Sequence, residues 1–152
     1  MKIIDVILTK SYTGFYFDDQ KAIKQGAGHD GFLYVGEPVT DGFKSIRQAG
    51  EAISVQLILE DGTVATGDCA AVQYSGAGGR DPLFIADEFI PFIEKNIKPL
   101  LIGENVEKFR PLAEKYDRLT IDGKRLHTAI RYGITQALLN ATATANRITM
   151  AE

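Results

Sequence analysis

Ile53-Ser54-Val55-Gln56-Leu57-Ile58-Leu59-Glu60-Asp61-Gly62-Thr63-Val64-Ala65-Thr66-Gly67-Asp68-Cys69-Ala70-Ala71 decides the fold class. Ile53, Val55, Leu57 and Leu59 recur at every second position, so one face of an extended strand is apolar. Asp61-Gly62 follows at once. That dipeptide favours a two-residue type I′ turn, because both central residues need positive φ. Residues 63–71 are then the returning strand. A lone hairpin is marginal in water. The Ile- and Val-rich stretch 2–8 supplies a partner, which predicts a three-stranded antiparallel sheet.

Working outward, residues 11–20 carry four aromatics and then two acids and read as a short strand entering a turn or helix. Residues 26–42 hold five glycines and Pro38, which predicts loop around a short strand at 32–35. Downstream of the hairpin, residues 73–80 form a glycine-rich loop that could cradle an anion or merely connect strand to helix. It lacks the lysine of a P-loop and the Rossmann glycine spacing. Asp81-Pro82 reads as an N-cap with proline at the first helical position. Ile85, Phe89, Phe92 and Ile93 then share a helix face, which Pro91 should kink or split. Val106, Phe109, Leu112, Ala113 and Tyr116 stripe a second helix. Leu126, Ala129, Ile130, Gly133, Ile134, Ala137, Leu138 and Ala141 step by three and four along a third, with Asp122 a candidate cap. Thr149 through Glu152 reads as the start of another helix, so the chain looks cut rather than finished. The expectation is an α+β domain, a three-stranded antiparallel meander followed by a helical bundle.

The chain has 152 residues, 45 % apolar and 24 % charged, with net charge −3. It is long enough for one domain with a real core. No basic surplus is available to neutralise a phosphate backbone, so nucleic acid is not an expected partner. No apolar run approaches the ~18 residues of a membrane span. The single cysteine, Cys69, points to a reducing, cytoplasmic setting. Cys69 and His29 are a conceivable nucleophile and base, but a free cysteine on a strand is ordinarily a small buried hydrophobe. Asp18-Asp19, His29-Asp30 and Asp68 match no metal-ligand spacing and read as turn formers. His127, one position off the apolar stripe, reads as a partly exposed packing residue. Lys21, Lys24, Lys44 and Arg47 make no basic stripe.

Four strings carry a resemblance: Gly14-Phe15-Tyr16-Phe17-Asp18-Asp19-Gln20, Lys24-Gln25-Gly26-Ala27-Gly28-His29-Asp30-Gly31-Phe32, the run from Gly67 through Phe84, and the run from Arg125 through Ala137. They resemble, in register, the N-terminal domain of the methylaspartate ammonia-lyase family in the enolase superfamily. The resemblance implies one capping domain over residues 1–152, with a β part at 1–72, the glycine-rich loop at 73–80 and a helical part at 81–146. It implies a partner (β/α) barrel, for which ~250 residues are needed and this length leaves no room. It further implies reversible removal of ammonia from 3-methylaspartate to give mesaconate, with Mg²⁺ and potassium assisting a homodimer. The family's base, metal ligands and most substrate contacts sit on the barrel, so no catalytic or metal residue is carried over here. The cap's contribution falls on Gln73, whose amide can both donate and accept near an amino or carboxylate group, with Tyr74 and Ser75 weaker candidates. The other reading is a naturally short, non-catalytic binding or assembly subunit that docks on a separate barrel chain. A bare apolar face on the third helix is the expected mark of a missing partner.

Overall fold

The structure, a computed structural model, describes residues 1–71 and 81–152. Strand β1 (Ile3–Asp18) leads into a short helix α1 (Gln20–Lys24), a ribbon of β2 (Gly28–Asp30) and β3 (Leu33–Val35), and the hairpin β4 (Arg47–Leu59) and β5 (Val64–Ala70). Helices α2 (Ala86–Asn96), α3 (Lys98–Leu101) and α4 (Phe109–Asp117), a small ribbon β6 (Thr120–Ile121) and β7 (Lys124–Arg125), and the long α5 (Thr128–Asn146) complete it. The main sheet is antiparallel in the order β1-β4-β5, as the alternation predicts.

Two differences in the strands have local causes. β1 does not stop at residue 8 but runs for 16 residues. Its second half, rich in Tyr, Phe and Thr, suits a pleated surface and stays on β4 past a register shift between Tyr12 and Tyr16. The Asp61-Gly62 connection is not a type I′ turn, since Gly62 has φ +85° but Asp61 is not among the residues with positive φ. Gly62 N donates to Leu59 O at 2.8 Å and Leu59 N to Thr63 O at 2.9 Å. The loop therefore spans residues 60–62 with glycine in the left-handed position. The type I′ turn occurs instead at Asp122-Gly123, where φ is +51° and +74° and Ile121 pairs with Lys124. Asp122 is thus a turn residue, not a helix cap.

The helix starts also differ from the sequence expectation. Residues 81–85 are irregular and α2 begins at Ala86. Its cap is distant in sequence: Ala86 N donates to Glu51 Oε2 on β4 at 2.7 Å. Pro91 lies inside α2, and the helix continues unbroken to Asn96. Asp81 Oδ2 instead accepts from Thr128 N at the start of α5 (3.1 Å). The N-cap of α5 is His127, which is buried rather than partly exposed. At the chain's end, Thr149 N and Oγ1 both donate to Glu152 Oε2.

The core forms where the inward face of the sheet meets the helices. Ile53, Val55, Leu57 and Leu59 of β4 and Ala65 and Cys69 of β5 are fully buried with Ile130, Ile134, Ala137 and Leu138 of α5. Burial of each large side chain contributes roughly 1.5–3 kcal/mol. α5 crosses β5 at two glycines. A Cβ on Gly67 would lie 2.2 Å from Gly133 O, and one on Gly133 would lie 2.5 Å from Cys69 N. This closeness lets α5 serve the free edge of β5. Thr66 N donates to Asn140 Oδ1 (2.8 Å) and Asp68 N to Gln136 Oε1 (2.9 Å). Two amides one helical turn apart thus satisfy an exposed strand edge. On the opposite edge, Ile3 N donates to Glu104 O, Gly103 N to Ile3 O, and Val106 N to Met1 O. The apolar stripe of the third helix is therefore covered by the domain's own residues, and no bare face is left on it.

Candidate functional site

The register places three features at one end of the sheet. Ala52 of β4 pairs with Ala70 of β5 and with Ser11 of β1. Just beyond, β1 shifts register against Gly50, where a Cβ would sit 2.5 Å from Thr13 Oγ1 and 2.8 Å from Phe15 O. Only glycine lets β1 pass so close. The next residue, Glu51, accepts from Ala86 N and pairs with Lys10 Nζ (3.1 Å), which also reaches Asp87 (2.7 Å). Strand ends, the start of α2 and both flanks of residues 72–80 are thereby gathered together.

Residues 19–46 leave and re-enter the sheet at this end, and two charged side chains hold them. Asp19 is buried and caps α1 through Lys21 N and Ala22 N. Its carboxylate also accepts from Val39 N (2.7 Å), Thr40 N (2.9 Å) and Thr40 Oγ1 (2.6 Å). Burial alone would push its pKa up. The Thr40 hydroxyl and the Thr40, Val39 and Ala22 amides outweigh that and hold it below the usual carboxylate range. Arg47, paired with Asp18 in the ladder, donates from Nε to Asp18 Oδ1 (2.8 Å) and from Nη2 to Asp18 Oδ2 (2.9 Å). Its Nη1 donates to Phe32 O (2.8 Å), and its Cζ lies 4.8 Å from the centre of the Tyr34 ring, 5.1 Å from that of Phe32 and 5.7 Å from that of Tyr16. Tyr16 and Phe32 meet edge to face at 5.2 Å, and His29 lies against Tyr34 at 4.6 Å. One guanidinium therefore fastens the β2–β3 ribbon to the sheet by a bidentate pair, a carbonyl and three aromatic rings.

The downstream flank of residues 72–80 is clamped to α5. His127 Nδ1 accepts from Ala129 N (3.0 Å), which fixes the neutral tautomer with the proton on Nε2; Nε2 then donates to Pro82 O (2.9 Å). Burial pushes the His127 pKa down, against the opposing pull of the Pro82 carbonyl and Asp81. Phe84 and Phe89 lie stacked at 4.9 Å and both flank the imidazole.

Gln73, Tyr74 and Ser75 lie outside the described residues. Cys69 is fully buried against α5, and burial pushes its thiol up to about 12. His29 is exposed on β2, so the structure does not assemble those two into a nucleophile and base. Among the described residues, no three His, Cys, Asp or Glu side chains converge to hold a metal ion. Asp18 is taken by Arg47, and Asp19 by backbone amides and Thr40. These residues do not fit a magnesium site, and no step through that ion is assigned to them. Sequence reasoning missed Arg47 and Asp19 as organising residues. Their signal was slight: an acid closing the aromatic stretch at 11–20, and a base six residues ahead of the predicted strand at 53–59.

The family model described as "Methylaspartate ammonia-lyase N-terminus" matches residues 1–152. Methylaspartate ammonia-lyase of Clostridium tetanomorphum is 66 % identical over 152 residues, which are all of this chain and 37 % of that protein. Its solved structures include a Mg complex and the Q73A mutant, each superposing with TM-score 0.97 over 99 % of this chain and about a third of theirs. The Citrobacter amalonaticus enzyme, solved containing (2S,3S)-3-methylaspartic acid, is 65 % identical with TM-score 0.95, over 99 % of this chain and 36 % of that one. L-Ala-D/L-Glu epimerase of Bacillus subtilis, 16 % identical with TM-score 0.54 over 96 % of this chain and 32 % of its own, shares the fold alone. The chain spans a little over a third of the length of the relatives it matches. With the whole of it matched by the family model and two thirds of its residues shared with the Clostridium enzyme, the chain belongs to the methylaspartate ammonia-lyase family.

Proposed function

We propose that this chain is the capping domain of a methylaspartate ammonia-lyase, which reversibly eliminates ammonia from 3-methylaspartate to give mesaconate. The observation that carries this reading is the end-to-end match to the N-terminal third of such enzymes at 66 % identity. In this reading residues 1–152 form one domain, with a β part, a glycine-rich loop at 73–80 and a helical bundle. The proton-abstracting chemistry lies on a C-terminal barrel. Mg²⁺ and potassium act there, in a cytoplasmic homodimer. The cap closes one side of the pocket and keeps water from the reacting carbon, and Gln73, helped by Tyr74 and Ser75, meets the substrate. Fixed flanks on both sides of residues 72–80 and the Q73A variant of the Clostridium enzyme both support attention to that position.

The test joins this chain to the C-terminal remainder of the Clostridium enzyme and follows ammonia and mesaconate from (2S,3S)-3-methylaspartate. Turnover is expected from the joined protein and none from residues 1–152 alone. Gln73→Ala is expected to change the tolerance for different amines in the reverse reaction while the fold survives. An inactive but folded joined protein refutes the lyase reading, and wild-type kinetics for Gln73→Ala with every amine refute the role given to that residue. The covered stripe of α5 lacks the mark expected of a missing partner, but the end-to-end match to the N-terminal third of longer relatives outweighs it and disfavours a naturally short assembly subunit.

A further inference from the structure

We infer that His127 is a proton-operated clasp: its neutral imidazole fixes Pro82, and with it the downstream flank of residues 72–80, against the first turn of α5, and a proton taken up at Nδ1 releases it. The clasp belongs to the domain itself and stands apart from the lyase reading. Pro82 has no N–H, so its backbone can be held only through its carbonyl. That carbonyl accepts from His127 Nε2 at 2.9 Å, while Nδ1 accepts from Ala129 N at 3.0 Å. One ring nitrogen donates to the flank and the other accepts from the helix, a division that only the neutral Nε2–H tautomer allows. A proton on Nδ1 turns that acceptor into a donor facing the Ala129 N–H. The two N–H groups then oppose each other, and the ring must turn to part them. Both nitrogens sit on one rigid ring, so the turn carries Nε2 off Pro82 O or draws Pro82 with it. Either way the flank leaves its place on α5.

The imidazole is buried, with the Phe84 and Phe89 rings at 5.1 and 5.3 Å. Among the described residues, the charges that act on it are Asp81 on the flank and Arg131 one turn along α5. Asp81, whose Oδ2 accepts from Thr128 N at 3.1 Å, favours the imidazolium. Arg131, paired with Asp117 of α4 at 2.9 Å, opposes it. α2 meets the ring with Phe89; its first-turn acids Asp87 and Glu88 are exposed, and Asp87 pairs with Lys10. Burial is the largest influence and moves the titration below the ordinary imidazole value of about 6.5. Asp81, against the effect of burial, is held below the usual carboxylate range by the Thr128 hydroxyl and amide. In the window between the two, His127 is protonated while Asp81 still holds Thr128 N. The release is therefore local to Pro82 and Ala129 and spares the rest of the helix start.

Two-dimensional NMR of residues 1–152 from about pH 8 to about pH 4 spans both titrations and tests this. At the upper end the imidazole nitrogens should report the Nε2–H tautomer. As His127 titrates, the amide shifts of Leu83, Phe84 and Ala129 should move with the midpoint of its own nitrogens, and solvent exchange of the Ala129 amide should rise several-fold. In His127→Asn, which keeps a capping acceptor but takes up no proton, those amides should hold their shifts across the range. In Asp81→Asn the movement should persist with its midpoint at lower pH, because a favourable charge has gone. Static amides beside a titrating imidazole overturn the clasp, as does an Nδ1–H tautomer at the upper end. The same movement in His127→Asn, or its loss in Asp81→Asn, assigns it to another group and overturns the inference too. An imidazole that stays neutral until the whole chain unfolds leaves no released folded state and likewise refutes it.

Discussion

Replacing Gly133 by alanine separates two opposed effects. Alanine in place of glycine in a helix interior adds about 1 kcal/mol of stability through propensity alone. Gly133, however, faces β5 at close range: a Cβ there would lie 2.5 Å from Cys69 N, 2.6 Å from Cys69 Sγ and 2.7 Å from Asp68 C. Those distances fall about 1 Å short of ordinary contact, and two of the three atoms are backbone that cannot swing aside. The helix must lift from the strand. Lifting it stretches the bonds from Asp68 N to Gln136 Oε1 and from Thr66 N to Asn140 Oδ1, now 2.9 and 2.8 Å. Overpacking costs about 1–3 kcal/mol and each weakened bond about 1 kcal/mol. Set against the propensity gain, the net loss is about 2–4 kcal/mol, or about 4–16 °C in Tm at this size.

Urea unfolding followed by circular dichroism measures this directly. The midpoint should fall with unchanged slope, since the surface exposed on unfolding is the same. Gln136→Ala alone should cost about 1 kcal/mol. Combined with Gly133→Ala it should cost less than the sum, because the lifted helix has already weakened that bond. A Gly133→Ala variant as stable as wild type, or more stable, would refute the close-contact argument. Strict additivity would refute the lifting.

Asp19→Asn places an amide donor against the Val39 and Thr40 N–H groups and should destabilise by about 2–3 kcal/mol, measured by the same unfolding curves. Because the folded pKa of Asp19 lies below its unfolded value, its contribution is present above the unfolded pKa and is lost as pH falls through the folded one; the variant's acid-unfolding curve should lack that component. Cys69, with its thiol raised to about 12, should not react with Ellman's reagent at pH 8 until urea unfolds the chain, and rapid labelling of folded protein would contradict its burial. His127 is held neutral with its pKa depressed, so stability should decline as pH falls below its unfolded value near 6.5. His127→Asn, which keeps a capping acceptor but cannot take up a proton, should flatten that decline, and an unchanged slope would show that another group causes it.

How much of this was legible in the sequence depended on whether the cause was local. The β4–β5 hairpin and α5 were readable because a period of two or of 3.6 is written into consecutive residues. The caps were not. The Ala86 N–H finds Glu51, and the Thr128 N–H finds Asp81, partners 35 and 47 residues away. Asp81-Pro82 has the chemistry of a cap and serves as one, but for α5 rather than for the helix next in line. The two Asp-Gly pairs make the same point. At Asp122-Gly123 nothing outside a two-residue ribbon constrains the loop, and the intrinsic preference prevails. At Asp61-Gly62 two long strands fix the register, Thr63 N turns to Asp61 Oδ1, and the loop takes an extra residue.

The same distinction explains why residues 26–42 read only as loop around a short strand at 32–35. Glycine and proline marked the turns correctly, but what makes the stretch a fixed shelf is nonlocal. Asp19 N donates to Ile46 O at 2.7 Å, which extends the β1–β4 ladder one step past the Asp18–Arg47 pair. The stretch is therefore closed at its root before any of its own contacts form. Closing a loop of this length is entropically little worse than closing one half as long, about 0.6 kcal/mol more. The five acceptor bonds of Asp19 and the three donor bonds of Arg47 offset that readily. Phe43 of residues 19–46 joins the domain's core, whereas Phe32 and Tyr34 lie against the Arg47 guanidinium. Leu33 and Val35 take no part in that stack and stay exposed, because the charged contacts of Asp19 and Arg47 fix the stretch without burying them.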